Sequence, residues 1–282
     1  MVSFSVEGIA TKATPYSSLD SFTEDFGLFA YTYANSGDPS SAMRLYAYDR
    51  LVSYNEGAGC WLPATALLWP NTTGYIQFFA YAPQSVVSEV TASDGNLPTL
   101  SYTVPTSVTS QKGLLVAKPD PNNATPELPE LRVPLTFHHV LTGIRFQCDP
   151  ANLISSVSIA NVYGSGTFSM GTSSWTPSGT RDKSYTISVA EPSPVAGLDF
   201  TDNDYTMMLL PQTLQDGAAV RVQFSDEIGS LVREYSIAGQ TWRPGTQLTY
   251  VIERRRVFVL NPTFGDSSLL TTDEAWEDDE ED

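Results

Sequence analysis

The adjacent His138 and His139 are the residues best suited to metal binding or acid–base chemistry, and the chain has no other histidine. A zinc site needs further ligands arranged in space, whereas neighbouring side chains on a strand point to opposite faces. A serine hydrolase of the nucleophile-elbow type carries a G-x-S-x-G turn, and this motif does not occur. The pair therefore predicts one core-facing and one exposed histidine, with no metal site and no catalytic base.

Several carboxylates could in principle supply the acid–base pair of a glycoside hydrolase. They are Asp199, Asp202, Asp204, Asp226 and Glu227. All stand in turn-like segments, where Asp is favoured because its side chain bonds to nearby backbone. The segment 202–204 also lacks the spacing and the distal glutamate of a known calcium loop. Solvated turn residues are the favoured interpretation, so the sequence predicts no enzyme, no cofactor and no metal.

Aromatic residues offer a third chemistry, which is the stacking of carbohydrate rings. The candidates are Trp61, Trp69, Trp175, Trp242 and the Tyr-rich strands. Packed sheets need large side chains between them, so most of these residues are predicted to belong to a core.

Composition and charge exclude other classes of function. The net charge of −17 argues against nucleic-acid binding, because neutralising phosphates requires clustered Lys and Arg. Eight of the last ten residues are acidic, and the tail 261–282 is predicted to be solvated and disordered. No run approaches the ~18 apolar residues of a membrane span. Cys60 and Cys148 lack metal-ligand spacing; free, buried thiols are the simpler interpretation, and a disulfide between domains stays open.

The elements that must position these residues are predicted to be strands. Nineteen Gly and nineteen Pro, and the absence of any long amphipathic helical stripe, are typical of an all-β chain. Segment 86–100 is polar and is interpreted as turns. The strongest predicted strands are Val2–Val6, Phe26–Tyr33, Leu45–Tyr54, Tyr75–Ala82, Leu100–Val104, Ile154–Ala160, Gly164–Met170, Lys183–Val189, Val220–Phe224, Leu231–Ile237, Leu248–Ile252 and Val257–Leu260.

One stretch, Leu135–Cys148, organises the chain. Apolar residues alternate along it except at Gly143, which predicts a bulge or bend within a half-buried strand. It follows Lys118–Pro134, which contains five prolines and is predicted to be a stiff connector. We therefore predict an N-terminal β-sandwich domain over 1–130, a C-terminal one over 131–260 and an acidic tail over 261–282.

Seven motifs in a fixed order resemble the fimbrillin family of the Bacteroidetes, the type V pilins and the related subunits of major and minor fimbriae. Together with the N-terminal strand they cover the chain from about residue 2 to 253, and the ordered set makes the resemblance specific. The motifs are TKA at Thr11–Ala13, FGLFAY at Phe26–Tyr31, LLWPN at Leu67–Asn71, FFAYAP at Phe78–Pro83, LTFHHVLTGIRF at Leu135–Phe146, MLLPQTL at Met208–Leu214 and WRPGTQLTYVI at Trp242–Ile252.

The resemblance implies two transthyretin-like β-sandwich domains in tandem, in an exported and usually lipidated precursor. It implies a location at the cell surface, in the outer membrane or fimbrium, and a role as structural subunit or tip or accessory adhesin of a type V pilus. Membrane attachment would come only from a lipid anchor on the precursor. Strand-like residues follow Met1 directly, so the export signal of that precursor is expected to be missing here.

The resemblance also implies how such a subunit assembles. In pilins of this family a protease cuts after an Arg or Lys beyond the first strand, and a strand of the next subunit fills the groove by main-chain pairing. Carried over, the removable strand presents Val2, Phe4 and Val6, and the cut follows Lys12. The candidate donor strand consists of Val257, Phe258, Val259 and Leu260. The implied partners are other pilus subunits, the processing protease, and host or bacterial surface ligands.

Two alternatives stay open at this point. The first is a cell-surface lipoprotein of the same fold that binds glycans or host ligands and never polymerises. The second is an enzyme built on a β-sandwich, such as a glycoside hydrolase or a peptidase.

Overall fold

The computed structural model describes residues 1–10, 24–33, 43–70, 74–119, 122–123, 132–148, 154–188, 205–225, 230–253 and 256–260, without side chains for 7–10, 122–123, 148, 225, 230, 253 and 256–260. In chain order the strands are β1 Ser3–Ala10, β2 Phe26–Tyr33, β3 Arg44–Asn55, β4 Cys60–Pro63, β5 Tyr75–Ala82, β6 Glu89–Ser93, β7 Asn96–Thr103, β8 Leu115–Ala117, β9 Asn122–Asn123, β10 Arg132–His139, β11 Thr142–Cys148, β12 Ile154–Val162, β13 Ser165–Ser169, β14 Ser174–Ser178, β15 Lys183–Ser188, β16 Met207–Leu209, β17 Ala219–Ser225, β18 Ser230–Ser236, β19 Gln247–Glu253 and β20 Arg256–Leu260.

The protein is all-β, as composition predicts. Within the described ranges the helical elements are single 3-10 turns, Gln84–Val86 and Val108–Ser110. None of these turns has the length or apolar character that crossing a membrane requires. The prediction of turns over 86–100 is wrong, because β6 and the first half of β7 lie there. Val90 in β6 is only partly buried, and the Ser and Thr residues around it give the segment the composition of a loop.

Seven strands of the largest sheet close into a ring. The order is β2-β3-β4-β1-β10-β8-β5, and β5 pairs again with β2; β9 is added beside β5. Each strand of the ring thus pairs with a neighbouring strand on both sides, although the β1–β4 and β10–β8 contacts are short. We call these seven strands the ring sheet.

The ring sheet is apolar on both faces where β2 and β5 pass. On β2, Phe26, Leu28 and Ala30 point into the ring, where they join one hydrophobic cluster. The intervening Phe29 and Tyr31 belong instead to a second, larger cluster outside the ring. Because successive side chains on a strand alternate in direction, a continuous apolar run serves both clusters at once.

Three four-stranded sheets supply the rest of the second cluster. Their orders are β16-β11-β19-β20, β15-β12-β17-β18 and β14-β13-β7-β6. The last of them joins β7, from before residue 130, to β13, from after it, while β10 lies in the ring sheet. Strand pairing thus links both sides of the boundary predicted near residue 130, and the division into tandem domains stays a prediction.

The chain crosses from the ring sheet to the second cluster through two residues, Val140 and Leu141. The indole nitrogen of Trp175 donates to the Val140 carbonyl at 2.6 Å, and the Val140 amide donates to the Leu114 carbonyl at 3.0 Å. The turn after Trp242 contacts the second of these residues, because the Gly245 amide donates to the Leu141 carbonyl at 2.9 Å. The prediction of a bulge or bend at Gly143 within a single strand is wrong, because the strand breaks at Val140 and Leu141, where the chain changes sheet, and Gly143 lies in the regular ladder of β11.

We predict that Gly27→Ala destabilises the ring sheet. A methyl group at Gly27 would lie 2.3 Å from Cε1 of Tyr81 and 2.7 Å from Oδ1 of Asp49. The hydroxyl of Tyr81 donates to that same oxygen at 2.7 Å, so neither neighbour can move freely. We expect the free energy of unfolding to fall by about 1–3 kcal/mol. Urea denaturation measures this change.

Gly57→Ala is the matched control for that substitution. Its added methyl group would find its nearest neighbour at 3.4 Å, an ordinary contact in a turn. Equal urea midpoints for the two variants would contradict the close packing inferred at Gly27.

We also predict that alkaline pH weakens the fold. Burial raises the pKa of Tyr185 to about 12, and burial with the nearby Asp94 carboxylate raises the pKa of Tyr31 to about 12. In the unfolded chain tyrosine ionises near ~10, so between these values the folded protein holds more protons. Stability is therefore complete below about pH 10 and falls as pH rises toward about 12. Urea midpoints across this range should fall less for Tyr185→Phe than for the parent; an identical fall would contradict the assignment to Tyr185.

Candidate functional site

The first strand is held mainly by one neighbour. β1 runs parallel to β10 over seven register pairs, from Ser3 with Arg132 to Ala10 with His138. On its other side it meets β4 at a single pair, Phe4 with Trp61. A register irregularity between Val6 and Gly8 interrupts the ladder. β1 thus closes the ring with little pairing on one flank.

The side chains of β1 nevertheless fill the centre of the ring. Phe4 is fully buried, as is Val2, which directly precedes the strand, and Val6 is half-buried against the same cluster. The ring of Phe4 meets Phe78 edge-on with centroids 5.3 Å apart and meets Phe26 edge-on at 6.2 Å. Edge-on aromatic pairs add to the stability that comes from burial alone. The removable residues predicted from the sequence are therefore central to the core.

We call the slot that β1 occupies between β4 and β10 the β1 groove. It is lined by Phe26, Trp61, Phe78, Val133 and Leu135. Without β1, these apolar side chains and the main-chain groups of β10 that face β1 would lose their partners. An unpaired strand edge beside apolar pockets is the arrangement that accepts an added strand.

The structure describes the backbone of the predicted donor strand but not the predicted cleavage site. Lys12 lies outside the described residues. The predicted donor segment is β20, whose backbone pairs antiparallel with β19, from Thr249 with Leu260 to Glu253 with Arg256. Among the strands that the structure describes, β20 is the outermost of its sheet and pairs only with β19.

The predicted chemistry of the two histidines is resolved by alternation along β10. His138 is exposed and His139 is buried, at 2% of its full accessibility. Within the described residues no group of three or more His, Cys, Asp or Glu is arranged to hold a metal ion. The five carboxylates considered for glycoside hydrolysis lie outside the described residues. Cys60 is buried and free, and the side chain of Cys148 is not described.

The tryptophans serve mainly as packing residues. Trp61 and Trp242 are buried, and the indole nitrogen of Trp242 donates to the Tyr250 hydroxyl at 3.1 Å. The ring centroids of Trp175 and Phe168 are 5.2 Å apart, and the indole nitrogen of Trp175 donates to the Val140 carbonyl. The prediction that most of the tryptophans belong to a core is confirmed for Trp61 and Trp242.

The lining of the β1 groove was missed at the sequence level. Phe26, Trp61 and Phe78 lie in predicted strands or apolar runs, and alternation shows that each faces a core. Alternation does not reveal that Phe26 and Phe78, more than 50 residues apart in the sequence, meet the same side chain of β1.

Comparison with known sequences gives the family. The profile described as fimbrillin-like matches residues 11–269. The chain belongs to the fimbrillin-like family. Among curated proteins the comparison finds no match.

Solved structures share the fold of this family member. A candidate cell adhesion protein from Bacteroides uniformis is 19% identical, with a TM-score of 0.56, over 92% of this chain and 96% of that one. A second candidate cell adhesion protein, from Bacteroides ovatus, is 15% identical, with a TM-score of 0.55, over 85% of each chain. Membership of the family implies a location at the cell surface, and it supports a pilus-type subunit or an adhesin rather than an enzyme.

We predict that Phe4→Ala opens a cavity at the centre of the ring sheet. The substitution removes a fully buried ring that contacts Phe26 and Phe78, so the free energy of unfolding should fall by about 3–5 kcal/mol. Ser3→Ala, on the opposite face of the same strand, should change it by less than about 0.5 kcal/mol. Urea denaturation of both variants tests this. Equal midpoints would show that β1 contributes little to the core.

Proposed function

We propose that this fimbrillin-like protein is a structural subunit, or a tip or accessory adhesin, of a type V pilus, and that it assembles by proteolysis-triggered donor-strand exchange. The observation that carries the proposal is the position of β1. It fills an apolar groove with Val2 and Phe4, yet only one residue pair joins it to β4. A strand placed in this way can be replaced by another of similar pattern without rebuilding the ring sheet.

The proposed sequence of events begins with cleavage after Lys12. The cut breaks the covalent connection between β1 and the rest of the chain, so β1 can leave while the following segment stays in place. β20 of a second copy then enters the β1 groove and restores main-chain pairing with β10. The incoming strand places apolar side chains in the groove in place of those that leave, and we propose that the exchange uses no cofactor.

The cellular setting follows from the same proposal. The precursor would be exported and lipid-anchored at the outer membrane, where a surface protease could reach Lys12. Other pilus subunits are the principal partners, and an adhesin at the tip would also meet host or bacterial surface ligands. We further propose that the ring sheet and the remaining sheets correspond to the two transthyretin-like sandwich domains of the family.

Cleavage at one defined position tests the mechanism. Several Lys and Arg side chains elsewhere are exposed, so a sequence-specific protease site should replace the residues around Lys12 rather than relying on trypsin. After cleavage we expect loss of the first twelve residues, measured by mass spectrometry, together with ladders on gel filtration and filaments by electron microscopy. The uncut protein should stay monomeric.

A competing peptide makes the test specific for the β1 groove. A synthetic peptide of residues 1–12 in excess should suppress assembly, whereas the same peptide with Phe4→Ala should not. A cut protein that releases its first strand and stays monomeric would contradict the pilus proposal. Glycan binding by an intact, monomeric protein would instead favour the surface lipoprotein that never polymerises.

A further inference from the structure

The number of strands in the ring sheet restricts their directions. Neighbours cannot alternate in direction all the way around a closed ring of seven, so at least one adjacent pair must run parallel. That pair is β1 with β10, and every other pairing in the ring is antiparallel. The parallel contact therefore occupies the seven register pairs of β1 with β10, while the antiparallel contact of β1 with β4 has one.

A strand that entered the empty β1 groove in the opposite direction would exchange these two contacts. It would run antiparallel to β10 along the long ladder and parallel to β4 at the single pair. Antiparallel ladders are slightly more stable per residue than parallel ones. The backbone of the ring sheet therefore favours a reversed strand over one that copies the direction of β1.

The side-chain sites of the β1 groove point the same way. The Val2 site is fully buried and apolar, and the Phe4 site is fully buried against Phe26 and Phe78. The Val6 site is only half-buried. A donor must therefore present an aromatic residue at the centre, an apolar residue at the Val2 end and a residue that tolerates water at the Val6 end.

The sequence of β20, RVFVL, meets these demands in one direction only. Phe258 is its single aromatic residue, and a valine in the Phe4 site would leave a cavity, so Arg256, Phe258 and Leu260 must face the groove. In the direction of β1, Arg256 would fall at the fully buried Val2 site, where burying an unpaired charge is strongly unfavourable. Reversed, Leu260 fills the Val2 site and the Arg256 stem lies at the Val6 site, from which its guanidinium reaches water.

We infer that the β1 groove selects its donor by direction. β20 of a second copy enters antiparallel to β10, opposite to β1, with Phe258 in the Phe4 site. This inference rests on the proposed function. A reversed donor thus replaces the parallel pairing with β10 by antiparallel pairing, which is the slightly more stable arrangement per residue.

Disulfide trapping distinguishes the two directions. Leu68 is 63% exposed and lies at the Val2 end of the groove, because the Val2 amide donates to the Leu67 carbonyl at 2.8 Å. In a full-length chain with Cys60→Ser, Cys148→Ser and Leu68→Cys, a second cysteine is placed at either end of β20. Asn261→Cys lies beside Leu68→Cys of the neighbour if the donor is reversed; Arg255→Cys lies there if the donor follows β1.

The expected result, after cleavage at Lys12 and mild oxidation, is a ladder of covalent multimers with Asn261→Cys and at least tenfold less with Arg255→Cys. A ladder with Arg255→Cys alone overturns the inferred direction but leaves donor-strand exchange intact. Filaments that form without a ladder from either variant overturn the assignment of β20 as donor. If the parent chain does not assemble, the proposed function fails and the inference fails with it.

A pair of substitutions tests the assignment of Phe258 independently of the trapping experiment. Phe258→Ala should slow assembly by at least tenfold, whereas Val232→Ala, at a residue of β18 that is 61% exposed and lies outside both the donor and the groove, should change it less than twofold. Thermal melts of the uncut variants check that each remains folded. Equal assembly rates for the two would overturn the placement of Phe258 in the Phe4 site.

Discussion

The fold depends on Val140 and Leu141, through which the chain leaves the ring sheet and enters the sheet that contains Thr142. Val140 bonds to the Leu114 carbonyl, and Leu141 bonds to the Gly245 amide. Backbone hydrogen bonds from two distant segments and the indole of Trp175 fix these few residues. The hydroxyl of Thr142 adds a bond of 2.9 Å to the Arg243 carbonyl. A buried crossing must satisfy its polar groups, and here partners on both sides do so. The ring sheet and the second cluster are thereby held at a fixed relation to each other.

Apolar packing of β2 and β5, whose two faces are both buried, also connects the ring sheet to the second cluster. Phe79 and Tyr81 point away from the ring and join the cluster that also holds Leu100 and Tyr102 of β7. The hydroxyl of Tyr31 reaches the Asn96 carbonyl at 2.7 Å across that contact. The outer face of the ring is thus a packing surface, and the interior of the ring encloses the separate cluster that contains Val2 and Phe4.

The position of β1 combines a large contribution to the core with a small contribution to pairing. Burial of Val2 and Phe4 stabilises the intact chain, while the single pair with β4 leaves one flank nearly free. Hydrophobic burial does not depend on direction, whereas strand pairing does. The core therefore restricts which side chains β1 can present, and the ladder with β10 sets the direction in which β1 runs.

The sequence by itself determined the strands and the faces they bury. Apolar runs predicted β2 and β5 with the bounds that the structure has. The break within Leu135–Cys148 was predicted at Gly143, whereas it lies at Val140 and Leu141, and Gly143 pairs inside β11. Alternation along β10 correctly separated His138 from His139. These features follow from local periodicity, because a strand presents alternate residues to opposite faces.

Only the tertiary structure decided which strands are neighbours. Nothing local in β6 and β7 indicates that they join β13 and β14, and their Ser- and Thr-rich sequences look like loop. Nothing local in β1 indicates that it pairs parallel to β10 or that Phe26 and Phe78 enclose Phe4. Alternation tells which side of a strand is apolar, but the partner across the core is fixed by long-range packing and by closure of the ring, and these depend on residues far apart in the chain.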